Sequence, residues 1–537
     1  METTAFSHSP EMMTTTAGPI RQPLAGRAIA ALSSITVALH VIVNQLSPYG
    51  FQRDEFLYMA MGRHLRLWRM DFPPFIAIVS QVERFVLGDS IAAIRFLPAV
   101  AAGLLVMLSA FIARELGGGK FAQLLAAVAV AASPLFLRAG DLFQPVIFDQ
   151  LWWTLALYAL VRLGASAPSA ETLATAPRWW IVLGVACGLG LLTKFSLLFF
   201  GATLVVALII APQRRVLLTP WPWASLVIAF ALGSPSIVGQ IALGYPVVAQ
   251  MRTLQGSQLA HVSAWTFVGG QLFLGPAIVL AFAGALYLVM ADRMRPFRVV
   301  GWTCIGAFML LLALHGKSYY ISPIYPTIFA AGALAFERWS GMFATLTAMA
   351  LRVVVIVLLF ATGASGLPLE IPLFSKETTA AFAQRAGLTA ATKTNQGTPL
   401  KLPQDYADML GWPELVNAVA HAYDSLPPEK RAQVILAGDN YGEAGALEFY
   451  GPKLGLPPVV SAAGSYWFFG PGVKPGTIMI SLGVKREDLY RFYNTVTPAG
   501  RVVNHWGVPE ESDVSIYIAE DPKTTIQAIW PSLAGQN

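Results

Sequence analysis

A polytopic bundle of membrane helices followed by a small soluble α/β domain is the fold class this sequence predicts. Of its 537 residues 55% are hydrophobic and 12% charged, against about 25% charged in an ordinary globular chain. The apolar residues gather into repeated runs near the roughly 20 residues needed to cross a bilayer. From residue 368 to residue 537 the composition turns polar, over a length suited to one soluble domain.

Taken in order, residues 1–26 are polar, and Arg21 and Arg27 flank the first apolar run, which places this tail in the cytoplasm. The run from about 28 to 46 is longer than a signal-peptide core and lacks a small-residue cleavage site, so it reads as a retained anchor. Residues 47–90 form an outer loop, too polar to span, in which "FLYMAMGRHLRLWRM" (56–70) has the mixed apolar and basic character of an interfacial helix. Further spans are expected at about 91–113, 121–138, 148–164, 178–193, 196–212, 222–240, 264–290, 299–314, 320–337 and 345–367, which makes about 11 spans within 27–367.

The positive-inside rule supports this order. Inner loops receive Arg114, Lys120, Arg162, Arg178, Arg214, Arg215, Arg293, Arg295, Arg298 and Arg338, and short outer loops keep Arg138, Lys194, Arg252 and Lys317. The first outer loop is the exception, with Arg53, Arg63, Arg66, Arg69 and Arg84. Cations held outside need a reason.

An odd number of spans puts residues 368–537 outside the cytoplasm. There "RAQVILAG" (431–438) and "TIMISLG" (477–483) read as buried strands and "WPELVNAVAHAYDSL" (412–426) as a helix. Residues 377–399 are weakly patterned, as in a linker or an outer helix. "GSYWFFGPG" (464–472) has aromatics that suit either a carbohydrate contact or a core.

Composition also excludes some classes. The net charge of +6 comes from loop arginines rather than from a basic-aromatic stripe, so no nucleic-acid partner is expected. Cys187 and Cys304 lie inside apolar runs, which argues against a disulfide framework or a cysteine metal site.

The ionisable groups gather on the outer side. Asp54 and Glu55 are adjacent, so their side chains diverge and do not face each other across a glycosidic bond. Adjacency suits one carboxylate reaching a substrate while the other holds the loop or a cation; a solvated pair beside Arg53 also accounts for it. Asp149 stands where it would cap a helix. Lys194, Lys317, Tyr319 and Tyr320 suit a lipid phosphate, with ammonium groups as point charges and phenols as donors, and Arg53 or Arg63 could join them. Snorkelling lysines and belt tyrosines explain the same residues without a ligand. Carboxylates are absent from the middle of the spans, where transporters keep them.

The acidic pair, Tyr58, "DFPPF" (71–75), Asp149, "GLLTKFS" (190–196) and "GKSYYISPIYP" (316–326) together resemble the dolichyl-phosphate-mannose protein mannosyltransferase superfamily, which with the bacterial lipid A aminoarabinose transferases forms part of the GT-C group. In the tail, "YADMLGWPELV", "DNYGEAGALEFYG" and "SYWFFGPG" resemble the C-terminal region of bacterial members. The resemblance implies a GT-C membrane enzyme of the bacterial inner membrane, a hexosyl or pentosyl transferase. It would take a sugar from a polyprenyl phosphate and pass it, with inversion, to a glycolipid, polysaccharide or protein acceptor on the outer or periplasmic side. By residue, it implies Asp54 as general base, Glu55 as its catalytic neighbour that orients the loop or touches the acceptor, Asp149 as an acceptor or sugar contact, and Lys317, Tyr319, Tyr320, Lys194 and Arg63 as candidates for the lipid phosphate. Phe72 stands where many relatives have a histidine, and the tail does not resemble the sugar-binding module of the eukaryotic enzymes, which argues against their protein substrates. No cofactor is expected; a hard cation on Asp54, Glu55 and Asp149 is the alternative weighed and not preferred. The rivals from other classes are a transporter or flippase of a lipid-linked sugar, and a membrane sensor with an outer ligand-binding domain.

Overall fold

The computed structural model describes residues 22–166, 176–388 and 391–534, so most of the expected cytoplasmic tail lies outside the described residues. Each of the eleven expected apolar runs is mainly helical, though the helices differ in length and straightness. Six helices are long and apolar enough to cross a membrane, and up to nine spans result if each of three bent pairs counts as one. Two runs yield helices too short to meet that length alone, Pro177–Thr193 and Tyr325–Ser340. The run 264–290 is not one rod: its halves meet at 109°, where Gly275 takes a φ of 56° and Pro276 follows, a pair that ends one helix and starts another. The run 121–138 bends by 62° ahead of Pro134. The run 91–113 is interrupted by Arg95, which separates Ile91–Ile94 from Phe96–Glu115.

Small residues let the helices approach closely. A Cβ on Gly284 would meet the Ile328 carbonyl at 1.9 Å, and one on Gly332 the Leu280 carbonyl at 2.0 Å, so Ala277–Met290 and Tyr325–Ser340 pack backbone to backbone. One end of the bundle is tied together by charge. Glu337 accepts from the amides of Gly119 and Ala122, Arg162 meets Glu115 at 3.2 Å, and Arg338 bonds to Tyr287.

The opposite end carries helices α1 (Gly26–Leu46, at its C-terminus), α2 (Arg53–Arg63) and α3 (Phe75–Leu87). α2 starts on a capping box in which the Gln52 side chain accepts from Asp54 N and Glu55 accepts from Gln52 N. It stops at Arg63, so the helix expected over 56–70 is shorter, and residues 64–72 turn before the Pro73–Pro74 step restarts the chain as α3. α3 buries Ile76, Val79 and Glu83 and exposes Val82, Phe85 and Val86, the division of a helix lying on a bilayer surface.

The tail begins beyond Thr345–Glu370 and builds a five-stranded sheet in the order β2-β1-β3-β5-β4. β1 (Val434–Gly438), β2 (Val459–Val460) and β3 (Ile478–Leu482) run parallel; β4 (Tyr493–Val503) and β5 (Asp513–Pro522) add an antiparallel pair. The two expected strands and the helix Trp412–Asp424 are present. Lys376–Arg385 is helical within the weakly patterned stretch, of which residues 389–390 lie outside the described residues.

The tail sits directly on α2 through the helix Tyr441–Tyr450. A Cβ on Gly442 would meet Arg53 Cγ at 2.4 Å, and one on Gly445 would meet Phe56 Cβ at 2.6 Å. Phe56 itself is fully buried against Trp412, Phe449 and Tyr450. This contact explains part of the outer arginine excess: Arg53 approaches Asp408 at 3.9 Å and Arg63 approaches Glu448, while Arg84 pairs with Asp89 at 2.6 Å. Replacing Gly445 by Val is expected to push the tail helix off α2 at a cost of about 1–3 kcal/mol. Limited proteolysis should then cut residues 371–375 faster than in the unmodified chain; an unchanged rate would refute the docking.

Candidate active site

α2 turns its two carboxylates to different surroundings. Glu55 is fully buried and accepts four hydrogen bonds: from Arg95 Nε and Nη2, both at 2.7 Å, from Gln52 N at 2.7 Å and from Phe143 N at 2.7 Å. Arg95 also donates to Asn44 Oδ1 and the Gly50 carbonyl, and Asn44 donates to Asp141, whose Oδ1 lies 2.9 Å from His40 Nδ1. A carboxylate so saturated has no lone pair free for a substrate proton. The expectation that Glu55 is catalytic is therefore corrected: it clamps α2 to α1, to Arg95 and to the loop at Phe143.

Asp54 is half-buried and less committed. Its Oδ1 accepts from Tyr441 Oη at 2.8 Å, and its Oδ2 has only a long contact to Gln144 Nε2, 3.4 Å. Burial pushes its carboxyl above the usual range, against the opposing pull of Arg53 and the Tyr441 hydrogen bond. Tyr58, one helical turn along, and Tyr319 both lie within its field.

Lys317 belongs to the same neighbourhood and feels both Asp54 and Lys194. Its Nζ donates to two neutral amide oxygens, Gln258 Oε1 at 2.7 Å and Asn395 Oδ1 at 3.0 Å. Burial, helped by the like charge of Lys194, lowers its pKa to about 8. Lys194 follows Pro177–Thr193 directly, with its ammonium 4.9 Å from the Tyr320 ring centre and 6.0 Å from that of Tyr319; the two rings meet edge to face.

Asp149 does not cap a helix. Gln144 is the cap and Pro145 the first helical residue, so Asp149 lies more than one turn inside. It is buried, accepts from Ser196 Oγ at 2.7 Å and is the anionic neighbour of Lys194. Arg63 is likewise corrected as a phosphate candidate: it donates to the Glu448 carbonyl at 2.8 Å, at the seam between α2 and the tail. Phe469 of the aromatic tail motif stacks on His64, Tyr466 is buried and bonds to Glu448, and Trp467 donates to the Trp530 carbonyl, so these rings serve packing.

With Glu55 held by Arg95 and Asp149 by Ser196, the three outer carboxylates do not converge. Among the described residues no group of three His, Cys, Asp or Glu side chains is placed to hold a metal ion. Sequence reasoning did not single out Tyr441, Arg95 or Asp408, the last of which is buried, accepts from Gln52 and has its pKa raised to about 7, chiefly by burial. Tyr441 stood in a quoted tail motif, but nothing in the order of residues marks a contact across 387 positions.

One end of a helix bundle thus holds a desolvated carboxylate, two half-buried ammonium groups and two phenols. Residues 71–238 match the family model described as dolichyl-phosphate-mannose-protein mannosyltransferase. That match spans under a third of the chain. It is 29% identical over 172 residues to the undecaprenyl phosphate-alpha-4-amino-4-deoxy-L-arabinose arabinosyl transferase of Edwardsiella ictaluri (strain 93-146), a match that covers 32% of this chain and 28% of that relative. Its fold is similar to that of ArnT from Cupriavidus metallidurans. The structure of ArnT bound to undecaprenyl phosphate aligns with a TM-score of 0.59 at 15% identity, over 95% of this chain and all of that one. The apo form gives 0.58 at 15% identity over 95% and 99%. The matched segment 71–238 begins after Asp54, so the residue roles rest on the geometry above.

Glu55→Gln keeps the shape of the side chain but leaves Arg95 without its counter-ion, which is expected to cost about 3–5 kcal/mol. The thermal unfolding midpoint in detergent should fall clearly. A wild-type midpoint would show that the clamp is dispensable.

Proposed function

We propose that this integral membrane protein is a glycosyltransferase that takes a hexosyl or pentosyl group from a polyprenyl phosphate and passes it to an acceptor hydroxyl outside the cytoplasm of a bacterium. The observation that carries this reading is the neighbourhood of Asp54 and Lys317, an under-occupied carboxylate and a half-buried ammonium hydrogen-bonded to neutral amides. The relatives' use of undecaprenyl phosphate supports the choice of donor.

The chemistry follows from those groups. Asp54 Oδ2 takes the proton of the acceptor hydroxyl as its oxygen attacks the anomeric carbon. The bond from that carbon to the phosphate oxygen breaks, and its electron pair leaves with the lipid phosphate. Lys317 and Lys194, with the Tyr319 and Tyr320 hydroxyls beside them, are set to balance the charge that grows there. A single displacement inverts the anomeric centre. The prenyl chain stays in the bilayer while its phosphate lies at the interface, where these residues gather. Asp149, beside Lys194 and Ser196, holds that lysine's surroundings and borders the sugar. The acceptor is a glycolipid, a polysaccharide or a protein, and the step is written without a metal or cofactor. The flippase reading needs no base, and no observation favours it.

Two outcomes test the proposal. In membranes with a radiolabelled polyprenyl-phosphate sugar pool, Asp54→Asn is expected to lower label transfer about 10²–10⁴-fold at matched expression; transfer at the wild-type rate would remove Asp54 as the base. The pH profile should be bell-shaped. Asp54 acts when ionised, so its raised pKa places the acid limb above the ordinary aspartate value of about 3.9. Lys317 acts when protonated, so activity should fall as pH rises through about 8. Lys317→Ala should lower the rate and flatten that alkaline limb; an unaltered limb would exclude Lys317 from the phosphate site.

A further inference from the structure

We propose that Tyr441, from the C-terminal domain, is a positioning residue for the transfer step, which makes that domain part of the active site. The inference rests on the reading of Asp54 as the base.

The geometry supplies three reasons. First, the Tyr441 hydroxyl occupies Asp54 Oδ1 at 2.8 Å, while Oδ2 keeps only the 3.4 Å contact to Gln144. One oxygen is anchored, and the other is left for the acceptor. Second, the phenol is held on several sides. The Arg53 guanidinium lies 5.5 Å from the ring centre. Tyr441 opens a helix fixed by a capping box, in which Asn440 Oδ1 accepts from the amides of Gly442 and Glu443 and the Glu443 carboxylate accepts from the Asp439 amide. Asn440 in turn donates to the buried Glu511 at 2.8 Å. Third, the two glycines that follow, Gly442 and Gly445, let this helix lie on α2 with no room for a Cβ, so the hydroxyl has little freedom to drift.

The phenol is also kept a donor. Burial and the charge of Asp54 both push its pKa far above the usual tyrosine range, so it stays protonated. The other charged and titratable groups around Asp54 are Arg53, Glu55 and Tyr58 on α2, Lys317 and Tyr319 beside the phosphate site, and Asp405 and Asp408 on the tail. A hydrogen bond donated to a carboxylate favours its ionised form. Removing the hydroxyl alone therefore raises the proton affinity of Asp54 while those other groups remain.

The test compares the full-length chain with Tyr441→Phe, Asp54→Asn and Tyr466→Phe. Tyr466 is a control: a buried tail tyrosine whose hydroxyl bonds to Glu448 instead. Label transfer at limiting donor is followed against pH, and carbodiimide modification of Asp54, which needs the protonated acid, is followed by mass spectrometry so that a titration is obtained even from an inactive variant. Tyr441→Phe is expected to move the acid limb and the labelling midpoint upward by about one pH unit, a tenfold change in proton affinity, with Tyr466→Phe unshifted. Unshifted midpoints in Tyr441→Phe, or equal shifts in both tyrosine variants, would overturn the inference while an inactive Asp54→Asn leaves the base intact. Wild-type transfer by Asp54→Asn would overturn both readings.

Discussion

The pairing of Arg95 with Glu55 is the constraint on which the end of the bundle beneath the tail domain depends. Both side chains are fully buried, and each would be costly there alone. Together they join the end of α1, the start of α2, the segment ahead of Phe96–Glu115 and the loop at Phe143. A hydrophobic contact could bring these pieces together, but it would not set their rotation. Two parallel hydrogen bonds from a guanidinium to a carboxylate do. Because Glu55 is locked, the preceding side chain on α2, Asp54, is turned away from Arg95 and toward Tyr441.

That pocket works by contrast. Glu55 is satisfied and inert, whereas Asp54 is desolvated with one oxygen poorly matched, a state nearer to that of a useful base. Lys317 and Lys194 are both half-buried, and the like charge of Lys194 adds to the desolvation that lowers the proton affinity of Lys317. The two effects have one origin. The tail domain closes over the end of the bundle and takes away the water that would otherwise screen these charges.

Local order carried much of this fold and less of its site. Apolar runs and loop arginines marked the helical segments because both are read over a few neighbouring residues. The breaks at Gly275–Pro276 and before Pro134 turned continuous runs into bent pairs, a change of direction that hydropathy alone does not register. β4 was missed because this edge strand is largely exposed and lacks an apolar face along its length, and β5, which pairs with it, mixes buried Val514, Ile516 and Ala519 with polar residues. For the site, adjacency showed that Asp54 and Glu55 must differ in role, and the resemblance pointed to Asp54 as the base; what holds Glu55 was hidden, because its partner Arg95 lies 40 positions away in an apolar run. Asp149 read as a cap because the helix start at Pro145 was placed too late.

The amide partners of Lys317 have a consequence for turnover. Gln258 and Asn395 satisfy the ammonium without neutralising it. A carboxylate in either place would form an internal ion pair that any anionic ligand would first have to break. An uncharged amide gives up one hydrogen bond and leaves no charge behind. Lys317 is thereby held in place by dipoles rather than by a bonded counter-ion, and it keeps its charge for whatever comes to meet it.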